Sequence, residues 1–299
     1  MTHVIWSQWD DLEVPDGFTR LSPANTSLDI DDLSAITFYV PPYMGGKQAL
    51  EFSRVMTSLQ YFQVPNAGFD DAIEYLNPGV VLCNARGVHD DSTAELAMGL
   101  AIASRRGFAN FASSQRSELW VHKRYASFND SNIAIIGAGS IAHKLKEYLT
   151  PYKVEINMYS RSGGEGIRSI AELDTYLPNT DIVFLVLPLN VESKNMFNAD
   201  RLSLMKDGAT LVNVARGAII DTPALIQELN AGRLFAGLDV TDPEPLPPGH
   251  PLWSARNCII SPHVGGDSTA FESRGKQLVE DQLRRLATGQ ELINIVARG

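Results

Sequence analysis

The sequence predicts an α/β protein built on a doubly wound parallel sheet, with a second and smaller domain; three observations carry that expectation. From Ile133 to about Ser261, six short apolar runs alternate with helix-like stretches. Parallel neighbours need a long crossover, and a helix usually supplies it. The runs are almost continuously apolar rather than alternating, the mark of a sheet covered on both faces. Finally, Gly137-Ala138-Gly139-Ser140-Ile141-Ala142 follows the first run directly, where a glycine turn leads from strand to helix.

Taken in order, the first 130 residues are the less regular part. Val4–Ser7, Ala35–Val40, Gln60–Val64 and Val80–Cys83 read as strands, and Gln48 to about Ser58 as a helix. A long helix is predicted from Ser92 to about Ser113, opened by Ser92-Thr93-Ala94-Glu95 as a capping box. The six parallel strands are then Ile133–Ile136, Val154–Met158, Ile182–Leu187, Thr210–Val214, Phe235–Val240 and Cys258–Ile260. Thr222 with Pro223 reads as an N-cap followed by proline at the first helical position. Thr269 and Glu272 form a second predicted capping box, starting a helix to about Leu286 that returns the chain to its first domain. The expected division is residues 1–93 plus about 268–299, against 94–267.

Bulk properties narrow the function. With 44% hydrophobic and 20% charged residues over 299, the chain reads as an ordinary globular protein. No apolar stretch reaches the ~20 residues of a membrane span. Met1-Thr2-His3-Val4 lacks a basic leader, so a cytoplasmic location is expected. A net charge of −10 argues against nucleic acid as partner and requires any anion site to be locally positive. Cys83 and Cys258 lie in apolar runs and read as buried free thiols of a reducing compartment. His89-Asp90-Asp91 reads as an acidic helix start, and His3, His122, His143 and His250 as surface residues. No spacing suggests a metal site.

The glycine turn is placed as a dinucleotide site requires. Gly137 and Gly139 allow the turn, and the N–H groups around Ser140 and Ile141 would hold a pyrophosphate at the helix N-terminus. NAD sites carry Asp or Glu at the end of the next strand, to accept from the ribose 2′-hydroxyl. Here the run is Met158-Tyr159-Ser160-Arg161-Ser162, with no carboxylate to repel a 2′-phosphate. Arg161 offers a fork of donors to bind one, and Ser160 and Ser162 add hydroxyls. NADP is therefore the expected cofactor, with NAD the alternative.

Three further segments each follow a predicted buried strand: Asn213-Val214-Ala215-Arg216-Gly217, Glu244 within Asp-Val-Thr-Asp-Pro-Glu-Pro, and Ser261-Pro262-His263-Val264-Gly265-Gly266. A guanidinium, a carboxylate and an imidazole would thus converge at one sheet edge. With Ala94-Glu95, the glycine turn, Leu187-Pro188-Leu189, Met205-Lys206-Asp207-Gly208, Gly237-Leu238-Asp239-Val240 and Pro251-Leu252-Trp253, they form an ordered set. That set resembles the D-isomer-specific 2-hydroxyacid dehydrogenases, the family of glyoxylate/hydroxypyruvate reductases, D-lactate dehydrogenases and phosphoglycerate dehydrogenase. It covers the second regime and its flanks; residues 1–60 follow only in outline.

The resemblance implies two Rossmann-like domains, a doubly wound cofactor domain and a smaller flavodoxin-like substrate domain. It implies that Arg216 grips a 2-oxoacid and polarises its carbonyl, that His263 is the acid for reduction, and that Glu244 orients His263 and raises its pKa. Asp239 would meet the nicotinamide carboxamide. Leu187, Pro188, Val214, Ala215, His263 and Gly265 would line the cofactor, and backbone N–H groups at Ala67 and Gly68 would bind the substrate carboxylate. The implied substrate is a small 2-oxoacid such as glyoxylate or hydroxypyruvate; Arg54 and Arg86 keep a phosphoglycerate open. A homodimer through the helical arm Ala94–Trp120 is expected. A non-catalytic dinucleotide sensor, like the family's corepressors, is the rival reading.

Overall fold

A computed structural model describes residues 3–299. The chain divides into two compact units: residues up to His89 together with Thr269–Gly299, and Asp90–Ser268. Its strands are β1 (Val4–Trp6), β2 (Thr19–Leu21), β3 (Phe38–Tyr39), β4 (Tyr61–Gln63), β5 (Val81–Cys83), β6 (Asn132–Ile136), β7 (Glu155–Ser160), β8 (Ile167–Ser169), β9 (Ile182–Leu185), β10 (Thr210–Asn213), β11 (Phe235–Leu238), β12 (Cys258–Ile260) and β13 (Ile295–Arg298). The α-helices are α1 (Gly46–Glu51), α2 (Asp90–Arg106), α3 (Phe108–Arg116), α4 (Ser140–Leu149), α5 (Leu173–Tyr176), α6 (Ala199–Leu204), α7 (Thr222–Asn230) and α8 (Ala270–Ala287).

The larger unit is a seven-stranded sheet in the order β12-β11-β10-β9-β6-β7-β8, and all its pairings are parallel. Building outward from β6 the chain goes one way through β7, then restarts at β9 and goes the other. The junction of β6 and β9 is the topological switch point, where such sheets bind ligands at the carboxyl ends of their strands. Side-chain alternation fills a core on each face. Ala134, Ile136, Val183, Leu185 and Leu211 pack on one side; Ile133, Ile135, Ile182, Phe184 and Val212 pack on the other.

The smaller unit is a six-stranded sheet, β13-β5-β4-β3-β1-β2. Its five parallel strands follow the 2-1-3-4-5 order of flavodoxin-like folds. The last strand, β13, closes the edge antiparallel to β5. Trp6 and Tyr39 face one core, their neighbours Ile5 and Phe38 the other.

Several element predictions are corrected. The predicted long helix is two, because Gly107 adopts φ 72° at the junction and ends the first. That helix begins at Asp90, so Ser92 is no cap; its hydroxyl instead lies 2.6 Å from that of Ser268. The acidic start holds: Asp90 accepts from Ser140 at 3.0 Å and Asp91 from Tyr148 at 2.7 Å. Asp221, not Thr222, caps α7 through Ala224 N–H. Thr269 makes no side-chain cap, and Glu272 is taken by Trp9 Nε1 at 2.7 Å. The first helix runs only from Gly46 to Glu51 before tightening into a 3₁₀ turn over Phe52–Arg54. His3, expected at the surface, is 9% exposed and bonds Thr37. Both cysteines are free, Cys83 buried and Cys258 half-buried; burial pushes each thiol up to about 12.

Candidate active site

In the larger unit, every residue singled out from the sequence follows the carboxyl end of a parallel strand. Gly137 follows β6, Ser160 ends β7, and Leu187 with Pro188 follow β9. Val214, Ala215 and Arg216 follow β10, Asp239 follows β11 and His263 lies just past β12. Parallel strands share a direction, so these positions share one sheet edge.

The glycine turn is built by two requirements at one residue. Gly137 sits at φ 132°, and a Cβ there would meet the Val186 carbonyl oxygen at 2.3 Å. Only glycine lets the β6 turn press against the chain leaving β9. Gly137 N–H donates to Tyr159 O at 2.8 Å, fastening the turn to the end of β7. Gly139 is the N-cap of α4, and no side chain caps that helix. The first-turn N–H groups around Ser140 and Ile141 are thus the kind that accept a pyrophosphate.

At the end of β7, Arg161 is exposed and Ser160 donates to Gly163 O at 3.3 Å. One expectation is corrected here. The strand end brings no carboxylate of its own, but the loop after β9 brings Glu192, whose Oε2 lies 3.3 Å from Arg161 Nε. Both side chains are largely in solvent, where such a pair contributes ~0–1 kcal/mol.

Glu244 and His263 form the centre of the site. His263 Nδ1 and Glu244 Oε1 are 2.5 Å apart, with both side chains about one-third exposed at 34% and 39%. The hydrogen bond that His263 donates to the Glu244 carboxylate is the main cause raising the His263 pKa above its ordinary value. Burial pulls it down, the Glu244 charge adds to the rise, and Arg216 opposes it. Glu244 itself is pushed up by burial but falls net below the usual range. The hydrogen bond and charge of His263, the Thr241 backbone N–H and the charge of Arg216 bring it there. The Arg216 guanidinium therefore acts on both partners, so all three groups are electrostatically joined.

Backbone features place each of them. Asn213, fully buried, accepts from Ala215 N–H at 3.0 Å and donates to Arg216 O at 2.9 Å, which folds the strand exit under Arg216. Gly217 has no room for a side chain, since a Cβ would lie 2.0 Å from the Thr241 carbonyl. The loop bearing Arg216 is thereby held against the one leading to Glu244. His263 takes φ 55°, a rare conformation outside glycine. It is held there by its N–H to Asp239 O at 2.7 Å and by the Asp239 carboxylate. That carboxylate accepts from Ser261 hydroxyl at 2.6 Å, Val264 N–H at 2.9 Å and Gly265 N–H at 2.8 Å. Asp239 is 2% exposed, so its evident work is to shape the turn that presents His263.

Asn213, Gly217, Thr241 and Glu192 have roles that the sequence does not signal. Asn213 and Gly217 flank the run that carries Arg216, yet nothing in their spacing shows a close approach to another loop. Glu192 was invisible because it is remote in sequence from Arg161.

In the smaller unit, Asn66-Ala67-Gly68 follows β4. His89 Nε2 contacts Pro65 O at 2.6 Å, Ala85 N–H donates to Asn66 O at 2.9 Å, and Asn84 Nδ2 donates to Ala67 O at 2.6 Å. A trans peptide points its N–H opposite its C=O, so the N–H groups of Ala67 and Gly68 face away from the segment holding those carbonyls. Arg54 lies over the Tyr75 ring at 4.6 Å and donates to Glu74 O at 3.1 Å. Among the described residues no group of three metal-ligating side chains occurs, and no helix is long and apolar enough to cross a membrane.

The fold agrees with that of known proteins. Residues 98–265 match the family model described as "D-isomer specific 2-hydroxyacid dehydrogenase, NAD binding domain". The chain is 32% identical over 243 residues to the glyoxylate reductase of Thermococcus kodakarensis, covering 75% of this chain and 72% of that one. It is 31% identical over 216 residues to the hydroxypyruvate reductase of Thermotoga maritima, covering 70% and 71%. The crystal structure of a D-isomer specific 2-hydroxyacid dehydrogenase family protein from Aeromonas salmonicida superposes with a TM-score of 0.84 at 26% identity, over 99% of this chain and 98% of that one. The chain belongs to the D-isomer specific 2-hydroxyacid dehydrogenase family.

Proposed function

We propose that the protein reduces a small 2-oxoacid to the D-2-hydroxyacid with a nicotinamide cofactor, NADPH before NADH. The observation that carries this reading is the coupled group of Arg216, Glu244 and His263 at the carboxyl edge of a dinucleotide-binding sheet. The cofactor, when bound, supplies the hydride. Arg216 binds the oxoacid and draws charge onto its carbonyl oxygen, which lowers the barrier to hydride attack. His263, protonated because Glu244 supports the imidazolium, delivers the proton to that oxygen.

Glyoxylate and hydroxypyruvate are the proposed substrates, the activities for which the Thermococcus and Thermotoga relatives are named. NADP preference rests on Arg161 with Ser160 and Ser162, and it requires Glu192 to leave the guanidinium when a 2′-phosphate arrives. Cofactor oxidation with glyoxylate, hydroxypyruvate, pyruvate and phenylpyruvate tests the reading. Turnover with either of the first two, and a higher kcat/KM with NADPH than with NADH, is expected. Cofactor binding without turnover of any oxoacid would instead favour the sensor reading; a higher kcat/KM with NADH would remove the NADP assignment.

A further inference from the structure

The smaller unit holds a cavity that the proposed chemistry does not use. It measures about 480 Å³ and is lined by Arg86, Arg274, Gln277, Leu278, Asp281 and Arg284. Gly87 and Val88 line it beside Arg86, and the others lie on α8, at spacings of three and four residues that keep them on one face. Arg86 comes from the segment after β5, so the cavity opens beside the carboxyl edge of this sheet, the edge at which open α/β sheets place ligands.

Its charge is unusual for this chain. Three guanidiniums line it against one carboxylate, in a protein whose net charge is −10. That carboxylate, Asp281, is already engaged by Arg284 at 3.2 Å and by Arg285 at 3.0 Å. Arg86 is fixed through its backbone, with its N–H on Asn84 Oδ1 at 3.3 Å and its carbonyl on Asn294 Nδ2 at 3.0 Å. Among the described residues its guanidinium has no acceptor. Arg284 keeps guanidinium donors beyond the one that meets Asp281, and guanidinium forks fit phosphate oxygens two at a time.

We propose that this cavity is an anion site for a phosphate monoester or inorganic phosphate, bound chiefly by Arg86 and Arg284. The phosphate has two possible sources, a phosphorylated substrate or a free ligand that regulates the enzyme. The test is calorimetric titration of the intact protein with inorganic phosphate at constant ionic strength. Wild type is expected to bind saturably. Arg86→Gln with Arg284→Gln is expected to bind at least tenfold more weakly, while Arg54→Gln binds as wild type. Arg86→Lys, which keeps the charge but loses the fork, should fall between and guards against a double variant that misfolds. No saturable binding, or equal affinity in the double variant, would overturn the site. Kinetics then separate the sources. A KM rise confined to phosphohydroxypyruvate, with hydroxypyruvate unchanged, identifies the substrate's own phosphate. Unchanged KM for both, with phosphate binding lost, identifies a free ligand.

Discussion

His263 and Glu244 are the residues whose titration the structure lets one reason through. Folding raises the imidazole pKa, chiefly by the hydrogen bond to Glu244. Reduction consumes the protonated ring, so its rate should hold at low pH and fall as pH rises through that raised value. Glu244→Gln keeps the shape but removes the charge, so the falling limb should move to lower pH and kcat above neutrality should drop roughly ten- to a hundredfold, the worth of a charge-assisted hydrogen bond. A limb that stays in place in the variant would show that the pair does not control the proton. Asp239→Asn makes a separate prediction. The carboxylate accepts three hydrogen bonds, and an amide would turn an N–H₂ toward one of those donors. A loss of about 1–3 kcal/mol in urea unfolding is expected. At Arg161, Glu192→Gln frees the guanidinium from an exposed partner and should lower the KM for NADPH by up to about fivefold, leaving that for NADH alone. An equal change for both cofactors would mean that Glu192 does not contest the 2′-phosphate.

At the scale of elements, six of the seven parallel strands of the larger unit were legible because each carries a short apolar run between turn signals. The site residues were legible for a related reason: strand exits on one edge carry them, and each exit is marked by Gly, Pro or Asn. What escaped was whatever depends on contact rather than pattern. The strand β2 is half exposed and polar, β8 is a short edge, and β13 pairs antiparallel from the far end of the chain. The caps at Ser92 and Thr222 failed because Ser92 lies inside its helix against Ser268 and Thr222 lies one residue past the cap, while Thr269 stands at the N-cap in helical backbone and makes no side-chain cap. Gly217 belongs to this scale too, since it lets two strand exits touch. Gly217→Ala should cost about 1–3 kcal/mol in stability and lower kcat through Arg216. Unchanged melting and turnover would contradict the close approach.

For the whole molecule, two observations bear on assembly. In the larger unit, Phe108, Phe111, Leu119, Trp120 and Val121 are all more than 40% exposed, and Trp120 is fully exposed. Apolar surface of that extent on one arm is what a second copy would cover, and a homodimer is the proposed state. Trp120→Glu with Phe111→Glu should convert a dimer mass in light scattering to that of a monomer; a monomeric wild type at micromolar concentration would refute it. The proposed chemistry couples hydride transfer to proton delivery by one imidazole, and the most direct measurement of it is glyoxylate-dependent NADPH oxidation by wild type and His263→Ala. The expected result is steady turnover by wild type and a kcat about 10²–10⁴ lower in the variant, with NADPH binding retained. Undiminished oxidation by the variant would contradict it.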